Sequence, residues 1–119
     1  ENKIPFGFIA IKNNDSPNSF FLDKFYINLE HRAKGFGLQA FVAIESIYLN
    51  RGMTEMKLVV NRENINSINY YFRNGFKNLK INHNSFLIKR VLKISIISSN
   101  EFILIMHEPC TYYSLIANL

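Results

Sequence analysis

A short run of small and basic residues at positions 32–38 has the composition of an anion-binding turn. Gly35 and Gly37 lack side chains, so backbone N–H groups there could approach a phosphate closely. Arg32 and Lys34 bring positive charge to the same turn. A helical pattern follows, and a helix N-terminus adds free N–H groups and the positive end of its dipole. The run predicts either a site for a phosphorylated ligand or a tight turn with a solvated rim.

A second run, from Asn64 to Phe76, could present polar side chains to a ligand. Asn64 can cap a helix, and Ser67 and Tyr71 would lie one turn apart on one face of that helix. Gly75 is the expected residue just beyond the helix C-terminus. The run therefore predicts a short helix that carries Ser67 and Tyr71 on one face.

The rest of the sequence indicates the elements that position these two runs. Apolar runs bounded by turn residues predict strands over residues 6–11, 20–29, 55–60 and 76–81. Helical spacing predicts helices over residues 38–50 and 65–73. The second helix would face the core with Ile65, Ile68 and Phe72. Strands alternating with helices predict an α/β fold in which helices pack on a sheet.

Length and composition describe one globular domain. The chain has 119 residues, of which 48% are hydrophobic and 19% charged. No apolar run is long enough to span a membrane, and the first residues lack the apolar segment of a signal peptide. Cys110 is the only cysteine, so an intrachain disulfide is excluded and the cytoplasm is the expected location.

The net charge of +5 is distributed unevenly. Between positions 64 and 100 there is no acidic residue, and six basic residues occur there: Arg73, Lys77, Lys80, Lys89, Arg90 and Lys93. Most of them are expected to form a solvated basic face. A polyanionic cofactor is one ligand for such a face. A nucleic acid is another, although the sequence has no aromatic-interleaved motif that would support it.

The two runs, taken together and in this order, resemble the GNAT superfamily of N-acetyltransferases. The family's glycine turn, Gln/Arg-x-x-Gly-x-Gly/Ala, matches Arg32, Gly35 and Gly37. Its second motif, Asn-x-x-Ala-x-x-x-Tyr-x-x-x-Gly-Phe, is matched from Asn64 to Phe76, with serine in place of alanine. The strand before the turn also has the family's usual Tyr-Ile end. The resemblance covers about residues 4–76.

The resemblance implies a GNAT-like acyl-CoA N-acyltransferase fold of the α/β class, with a mixed, largely antiparallel sheet and helices packed on it. Residues 1–91 would form a partial, N-terminally truncated domain that begins at the family's third strand. Residues 92–119 would be a C-terminal extension or the final strand. The closing strand could be residues 86–91 or 102–106, with a further strand at 92–97. The apolar end of the chain would pack on the domain or on a second subunit of a homodimer.

The function implied by the resemblance is transfer of an acetyl group from acetyl-CoA, the co-substrate, to a primary amine by direct attack. In this family the central strand carries a bulge and splays from the next strand, which exposes backbone groups to the cofactor arm. The residues that would bind the cofactor are Phe25, Tyr26, Ile27, Arg32, Ala33, Lys34, Gly35, Phe36, Gly37, Leu38, Asn64, Ser67 and Tyr71.

Three residues are candidates for the proton transfers: Tyr71 as the acid, and Asp23 or Glu30, at the end of the same strand, as the base. Tyr71 matches the family tyrosine that protonates the departing sulfur, and an ordinary tyrosine pKa of about 10 keeps it protonated at neutral pH. Asp23 is a candidate general base, because strand alternation would place it on the face of Phe25 and Ile27. Water could also accept the proton. No metal is expected, since the histidines lack ligand spacing.

Two other classes of function stay open. A chain that lacks the acceptor-binding half of the fold could be a non-catalytic acyl-CoA-binding remnant. A basic nucleic-acid interaction module is the weaker alternative. If the chain is an enzyme, its acceptor could be a polyamine, an antibiotic, an amino acid, a peptide N-terminus or a protein lysine.

Overall fold

Strands and helices account for most of the residues that the computed structural model describes, which are 4–13, 16–32, 35–93, 102–107 and 111–117. In chain order these elements are β1 (Pro5–Asn13), β2 (Ser19–Ile27), a short 3-10 helix (Leu29–His31), α1 (Phe36–Asn50), β3 (Glu55–Asn61), α2 (Ile65–Arg73), β4 (Lys77–Ile81), β5 (Ser85–Val91), β6 (Phe102–His107) and β7 (Tyr112–Ala117). Neither helix in these ranges has the length and hydrophobicity that crossing a membrane requires.

The strands of the described residues form one sheet in the order β4-β5-β3-β2-β1-β7-β6. The β2–β3 pair is parallel, whereas the other neighbouring pairs are antiparallel. This arrangement confirms the predicted α/β class with a mixed, largely antiparallel sheet. The parallel pair is joined through α1, as expected for a crossover connection.

The core lies between the sheet and α1. Phe41 of α1 packs on Phe25 of β2, with ring centroids 4.9 Å apart. Tyr48 stacks on Phe20 at 4.3 Å, and its hydroxyl lies 3.0 Å from that of Tyr113 on β7. Phe41 thus attaches the N-terminal half of α1 to β2. Tyr48 attaches the C-terminal end of α1 to both β2 and β7.

The helix α2 has the predicted bounds but a different buried face. Ile68 is buried, whereas Ile65 is 60% and Phe72 40% exposed, so the predicted core stripe is wrong at two of three positions. The helix turns half-buried Tyr70 and Tyr71 toward Phe41 of α1, at centroid distances of 5.9 and 6.0 Å. These large rings fill the space beside α1 and rotate the helix away from the predicted orientation.

The end of the chain lies at the sheet edge opposite β4. β5 pairs with both β3 and β4, as predicted for residues 86–91. β7 pairs with β1, and β6 pairs with β7, so the end of the chain packs on the domain, one of the two predicted outcomes. Leu92 and Lys93 belong to no strand, and the rest of the predicted strand at 92–97 lies outside the described residues. The domain boundary after residue 91 stays a prediction.

A buried ion pair connects the two helices to β5. Arg90 Nε lies 2.8 Å from Glu45 Oε2, and Arg90 Nη2 lies 3.0 Å from Glu45 Oε1. Arg90 also donates a hydrogen bond to the carbonyl oxygen of Asn74, just beyond α2. Burial raises the pKa of Glu45, and the guanidinium of Arg90 opposes this shift. Arg90 is therefore an exception to the solvated basic face expected for this part of the sequence.

Candidate functional site

The parallel strands β2 and β3 separate after three residues. Their pairing covers Ser19 to Phe21 of β2, although β2 continues to Ile27 and stays paired with β1 there. Ala10 and Ile11 of β1 face Lys24 and Leu22, so the residue between them, Asp23, is the extra residue of a bulge. From this bulge onward, the β3-facing edge of β2 has no strand partner within the described residues.

A glycine on β1 allows the close approach of β1 to the end of β2. Gly7 faces Ile27, and a Cβ atom at position 7 would overlap the carbonyl oxygen of Tyr26 and lie 3.1 Å from Ile27 Cα. Any side chain here would displace the free end of β2. The sequence analysis missed this residue, although an isolated glycine in a strand pattern signals such an approach.

The first turn of α1 lies directly against the free end of β2. Gly35 is the N-cap residue, with a φ of 82° that favours glycine. A Cβ atom at Gly37 would lie 3.1 Å from the Tyr70 hydroxyl oxygen and 3.7 Å from the side chains of Ile27 and Phe25. The helix begins at Phe36 rather than at the predicted Leu38, and the residue before it, Gly35, has the left-handed backbone conformation.

The side chain of Arg32 is attached to the end of β2. Its Nε donates a hydrogen bond to the carbonyl oxygen of Ile27, at 2.7 Å, and its guanidinium carbon lies 5.4 Å from the centre of the Tyr26 ring. This geometry holds the charge at the mouth of the gap between β2 and β3. Ala33 and Lys34, which were also predicted to bind the cofactor, lie outside the described residues.

The start of α2 forms the opposite side of the gap. The side-chain oxygen of Asn64 accepts a hydrogen bond from the backbone N–H of Ser67, at 3.3 Å, which confirms the predicted cap. Tyr71 packs edge-on against Phe76, with centroids 5.2 Å apart. Gly75 follows the helix with a φ of 89°, as predicted from its position after the last turn.

These elements enclose a groove of about 510 Å³ between the free end of β2 and the start of α2. The side chains and backbone that line it belong to Phe25, Tyr26, Ile27, Arg32, Asn64, Asn66, Ser67, Tyr70 and Tyr71. The fold thus brings together residues from both sequence motifs. Asn66 and Tyr70 were not predicted. Helix geometry points Tyr70 about 100° away from Tyr71, yet its long side chain still reaches the groove.

Six of the predicted site residues that the structure describes lie outside this set, among them Glu30 and, at the N-terminal end of α1, Gly35 and Gly37. Asp23 is exposed at the bulge and does not line the groove. Phe36 packs away from the groove on Phe6, with ring centroids 4.9 Å apart. Leu38 lines a neighbouring basic cavity of about 480 Å³ with Arg73 and other residues.

The two groove tyrosines are in a low-dielectric environment. Burial raises the pKa of Tyr71. Burial, with a smaller contribution from Tyr71, raises the pKa of Tyr70 to about 12. Both phenols are therefore protonated at neutral pH, and both can act as hydrogen-bond donors. In the described part of the chain, no three His, Cys, Asp or Glu side chains form a cluster that could bind a metal ion.

The open mixed sheet, the splayed parallel strands and the glycine-rich helix start together define an acyl-CoA N-acyltransferase fold. Residues 1–76 match the profile of the Acetyltransferase (GNAT) family, and the chain belongs to that family. No curated protein sequence matches the chain.

Solved structures of acetyltransferases share this fold. The PaiA N-acetyltransferase from Thermoplasma acidophilum, crystallised with coenzyme A, is 27% identical at a TM-score of 0.66, and the match covers 72% of this chain and 53% of that one. Ard1 from Thermoplasma volcanium is 21% identical at 0.65, with 74% and 64% covered. Nourseothricin acetyltransferase is 17% identical at 0.68, with 74% and 58% covered. The matches thus span between 53% and 64% of the length of these three proteins.

Proposed function

We propose that this chain binds acetyl-CoA and transfers its acetyl group to a primary amine by direct attack of the amine. The observation that carries the proposal is the gap between β2 and β3, which opens beside the first turn of α1. One end of this gap offers helix N–H groups and a guanidinium for a diphosphate. The other end offers an unpaired strand edge for an extended, amide-containing arm.

The chemistry of the groove supports coenzyme A as its ligand. Gly37 packs closely on the groove wall, since a Cβ atom there would lie only 3.1 Å from the Tyr70 hydroxyl oxygen, and a glycine at a helix start lets backbone N–H groups approach a phosphate. We assign the diphosphate to the backbone of residues 33–38 and the side chain of Arg32. We assign the cofactor arm to the backbone of Phe25–Ile27 and to Asn64 and Ser67.

The side chains and backbone of the groove have separate tasks in this reaction. Bound acetyl-CoA supplies the acetyl group as a thioester, with its sulfur as the leaving group. Tyr71, kept protonated by burial, donates a proton to that sulfur. A backbone N–H on the unpaired edge of Phe25–Ile27 stabilises the negative charge that develops on the thioester oxygen, which contributes about 2.7–4 kcal/mol.

The proton lost by the amine needs an acceptor on the solvent side of the groove. We propose Asp23 for this role. The bulge exposes its carboxylate just before the free end of β2, but it does not line the groove. Asp23 would therefore act through a water molecule or on an acceptor that reaches over the groove wall.

The test combines binding and turnover. Calorimetric titration with acetyl-CoA should give saturable binding, and a panel of amines should then release free coenzyme A. The panel should contain a polyamine, an amino acid, a peptide with a free N-terminus and a peptide with an internal lysine. Binding without release from any amine would favour the acyl-CoA-binding remnant, whereas absence of saturable binding would contradict the proposal.

The cellular context is proposed on separate grounds. The single cysteine of the sequence, Cys110, and a requirement for acetyl-CoA both favour the reducing cytoplasm. Fractionation of cells that produce the chain with a small tag would test this location. Sedimentation at several concentrations would show whether the chain also forms the homodimer that its apolar end allows.

A further inference from the structure

Tyr70 has a buried hydroxyl with no hydrogen-bond partner among the described residues. It lies on α2 and lines the groove beside Tyr71. Buried polar groups are nearly always paired, because an unpaired one loses its hydration without compensation. An unpaired hydroxyl in the wall of a groove is therefore evidence for a ligand that pairs with it.

The position of this hydroxyl identifies the part of the ligand that it faces. A Cβ atom at Gly37 would lie only 3.1 Å from Tyr70 Oη, so the hydroxyl touches the first turn of α1. The N–H groups of a first turn have no acceptor within the helix. The hydroxyl thus lies beside the first turn of α1, and both Tyr70 and Arg32 line the groove.

We propose that the Tyr70 hydroxyl donates a hydrogen bond to the diphosphate of coenzyme A at the first turn of α1. This inference rests on the proposed function and adds a binding residue at a position that neither sequence motif specifies. Toward an anion, a protonated phenol can act only as a hydrogen-bond donor. A phosphate oxygen can accept hydrogen bonds from the phenol and from backbone N–H groups at the same time. Because the hydroxyl is shielded from water in the ligand-free protein, its ring must rotate slightly toward the groove on binding.

A purely structural role for Tyr70 makes a different prediction. Its ring is stacked on Phe41, with centroids 5.9 Å apart, so the ring alone contributes to the core. In that case the hydroxyl has no role in binding the ligand. Its removal by Tyr70→Phe would then stabilise the protein and leave the affinity for coenzyme A unchanged.

The experiment compares Tyr70→Phe with Tyr48→Phe. Tyr48 is a matched control, because it is also a buried tyrosine of the core but its hydroxyl is paired with Tyr113 and lies away from the groove. Each variant and the unmodified chain are titrated with coenzyme A, with adenosine 3′-phosphate 5′-diphosphate and with pantetheine. The second ligand carries the diphosphate without the arm, and the third carries the arm without the diphosphate. Melting temperatures without ligand are measured in parallel.

Tyr70→Phe should weaken the binding of coenzyme A and of the diphosphate fragment by about tenfold, and leave pantetheine binding unchanged. Its ligand-free melting temperature should stay the same or rise. Tyr48→Phe should lower the melting temperature and change no affinity. Unchanged affinity of Tyr70→Phe for coenzyme A, or weakening confined to pantetheine, would overturn the inference alone. Failure of the unmodified chain to bind coenzyme A would overturn the proposed function and this inference with it.

Discussion

The strand β3 pairs with its two neighbours in the sheet to different extents. With β5 it pairs along its whole length, from Glu55 with Val91 to Asn61 with Ser85. With β2 it pairs over three residues and then separates. One side of β3 is thus a closed ladder, which we call the closed side, and the other side is the groove, which we call the open side.

Polar groups on the two sides differ in the same way. On the closed side, the guanidinium of Arg90 makes two bonds to Glu45 and one to the carbonyl of Asn74. On the open side, Tyr70 has an unpaired hydroxyl and the edge of β2 lacks a strand partner in the described residues. Pairing within the protein stabilises the fold but leaves nothing for a ligand. The open side lacks these stabilising bonds, so its hydrogen-bonding groups stay available to a ligand.

The largest effect is expected from breaking the closed side. Arg90→Met leaves the Glu45 carboxylate buried without its partner, which should cost about 3–5 kcal/mol of unfolding free energy in urea denaturation. Burial already raises the pKa of Glu45 above its unfolded value, and the substitution raises it further. Because a group with a raised folded pKa loses stability as pH rises through that pKa, the deficit should be larger at neutral pH than in acid.

Two variants control this prediction. Lys89→Met removes the neighbouring pair with Glu55, whose side chains are 35% and 29% exposed, and should cost no more than about 1 kcal/mol. The double change Glu45→Leu with Arg90→Met should recover most of the loss. A deficit that persists in the double variant would mean that shape, not charge, makes Arg90 important.

The next effect should come from blocking the open side. Gly35→Glu adds backbone strain at a φ of 82° and places a carboxylate where a diphosphate would bind, so affinity for acetyl-CoA should fall at least about a hundredfold. Gly52→Glu is the matched control, with a φ of 88° and open space at the other end of α1. It carries similar strain and should bind normally. Equal affinities in the two variants would remove the first turn of α1 from the site.

Loss of the proposed acid should affect turnover without affecting binding. Tyr71→Phe should lower kcat about a hundredfold, the low end of the range for general acids, with little change in the affinity for acetyl-CoA. Tyr112→Phe, an exposed tyrosine on β7 outside the groove, should have the normal rate. An undiminished rate in Tyr71→Phe would assign the proton to another donor.

The smallest effect concerns the contact between α1 and α2 at the groove. Gly37→Ala gains about 0.5–1 kcal/mol in helix propensity but forces the Tyr70 hydroxyl, 3.1 Å from the new Cβ, to move. In a Tyr70→Phe background the obstacle is gone, so the same alanine should stabilise the protein. A double-mutant cycle on unfolding free energies should give a coupling of about 1 kcal/mol. Strict additivity would mean that the two residues do not touch in solution.

Local signals in the sequence were sufficient for several parts of this structure. The bounds of α2 follow from a cap at Asn64 and a glycine at position 75, and both act on neighbouring backbone groups. The turn before α1 follows from Gly35, because this position has a positive φ and glycine adopts a positive φ readily. The family resemblance implied that Arg32 and Tyr71 belong to one cofactor site, and both residues line the groove.

Other features depend on partners distant in sequence. Phe41 of α1, about 30 residues away in the sequence, determined which face of α2 is buried. The contact of Tyr70 with Phe41 leaves Phe72 exposed. The sequence predicted that Arg90 belongs to a solvated basic face. In the structure, α1 places Glu45 beside it and the two form a buried ion pair. Likewise, the apolar end of the chain predicts that this segment packs against a partner, but not that it forms the strand β7 paired with β1.

The sequence by itself determined the bounds of α2 and the end of α1, because caps, glycines and hydrophobic periodicity act over a few residues. Only the tertiary structure decided which polar groups are paired and which are left for a ligand. Tyr70 and Tyr71 are adjacent residues of the same type, and both line the groove. The hydroxyl of Tyr70 is buried without a partner only because the first turn of α1 lies against it, and that packing depends on contacts between elements rather than on local sequence.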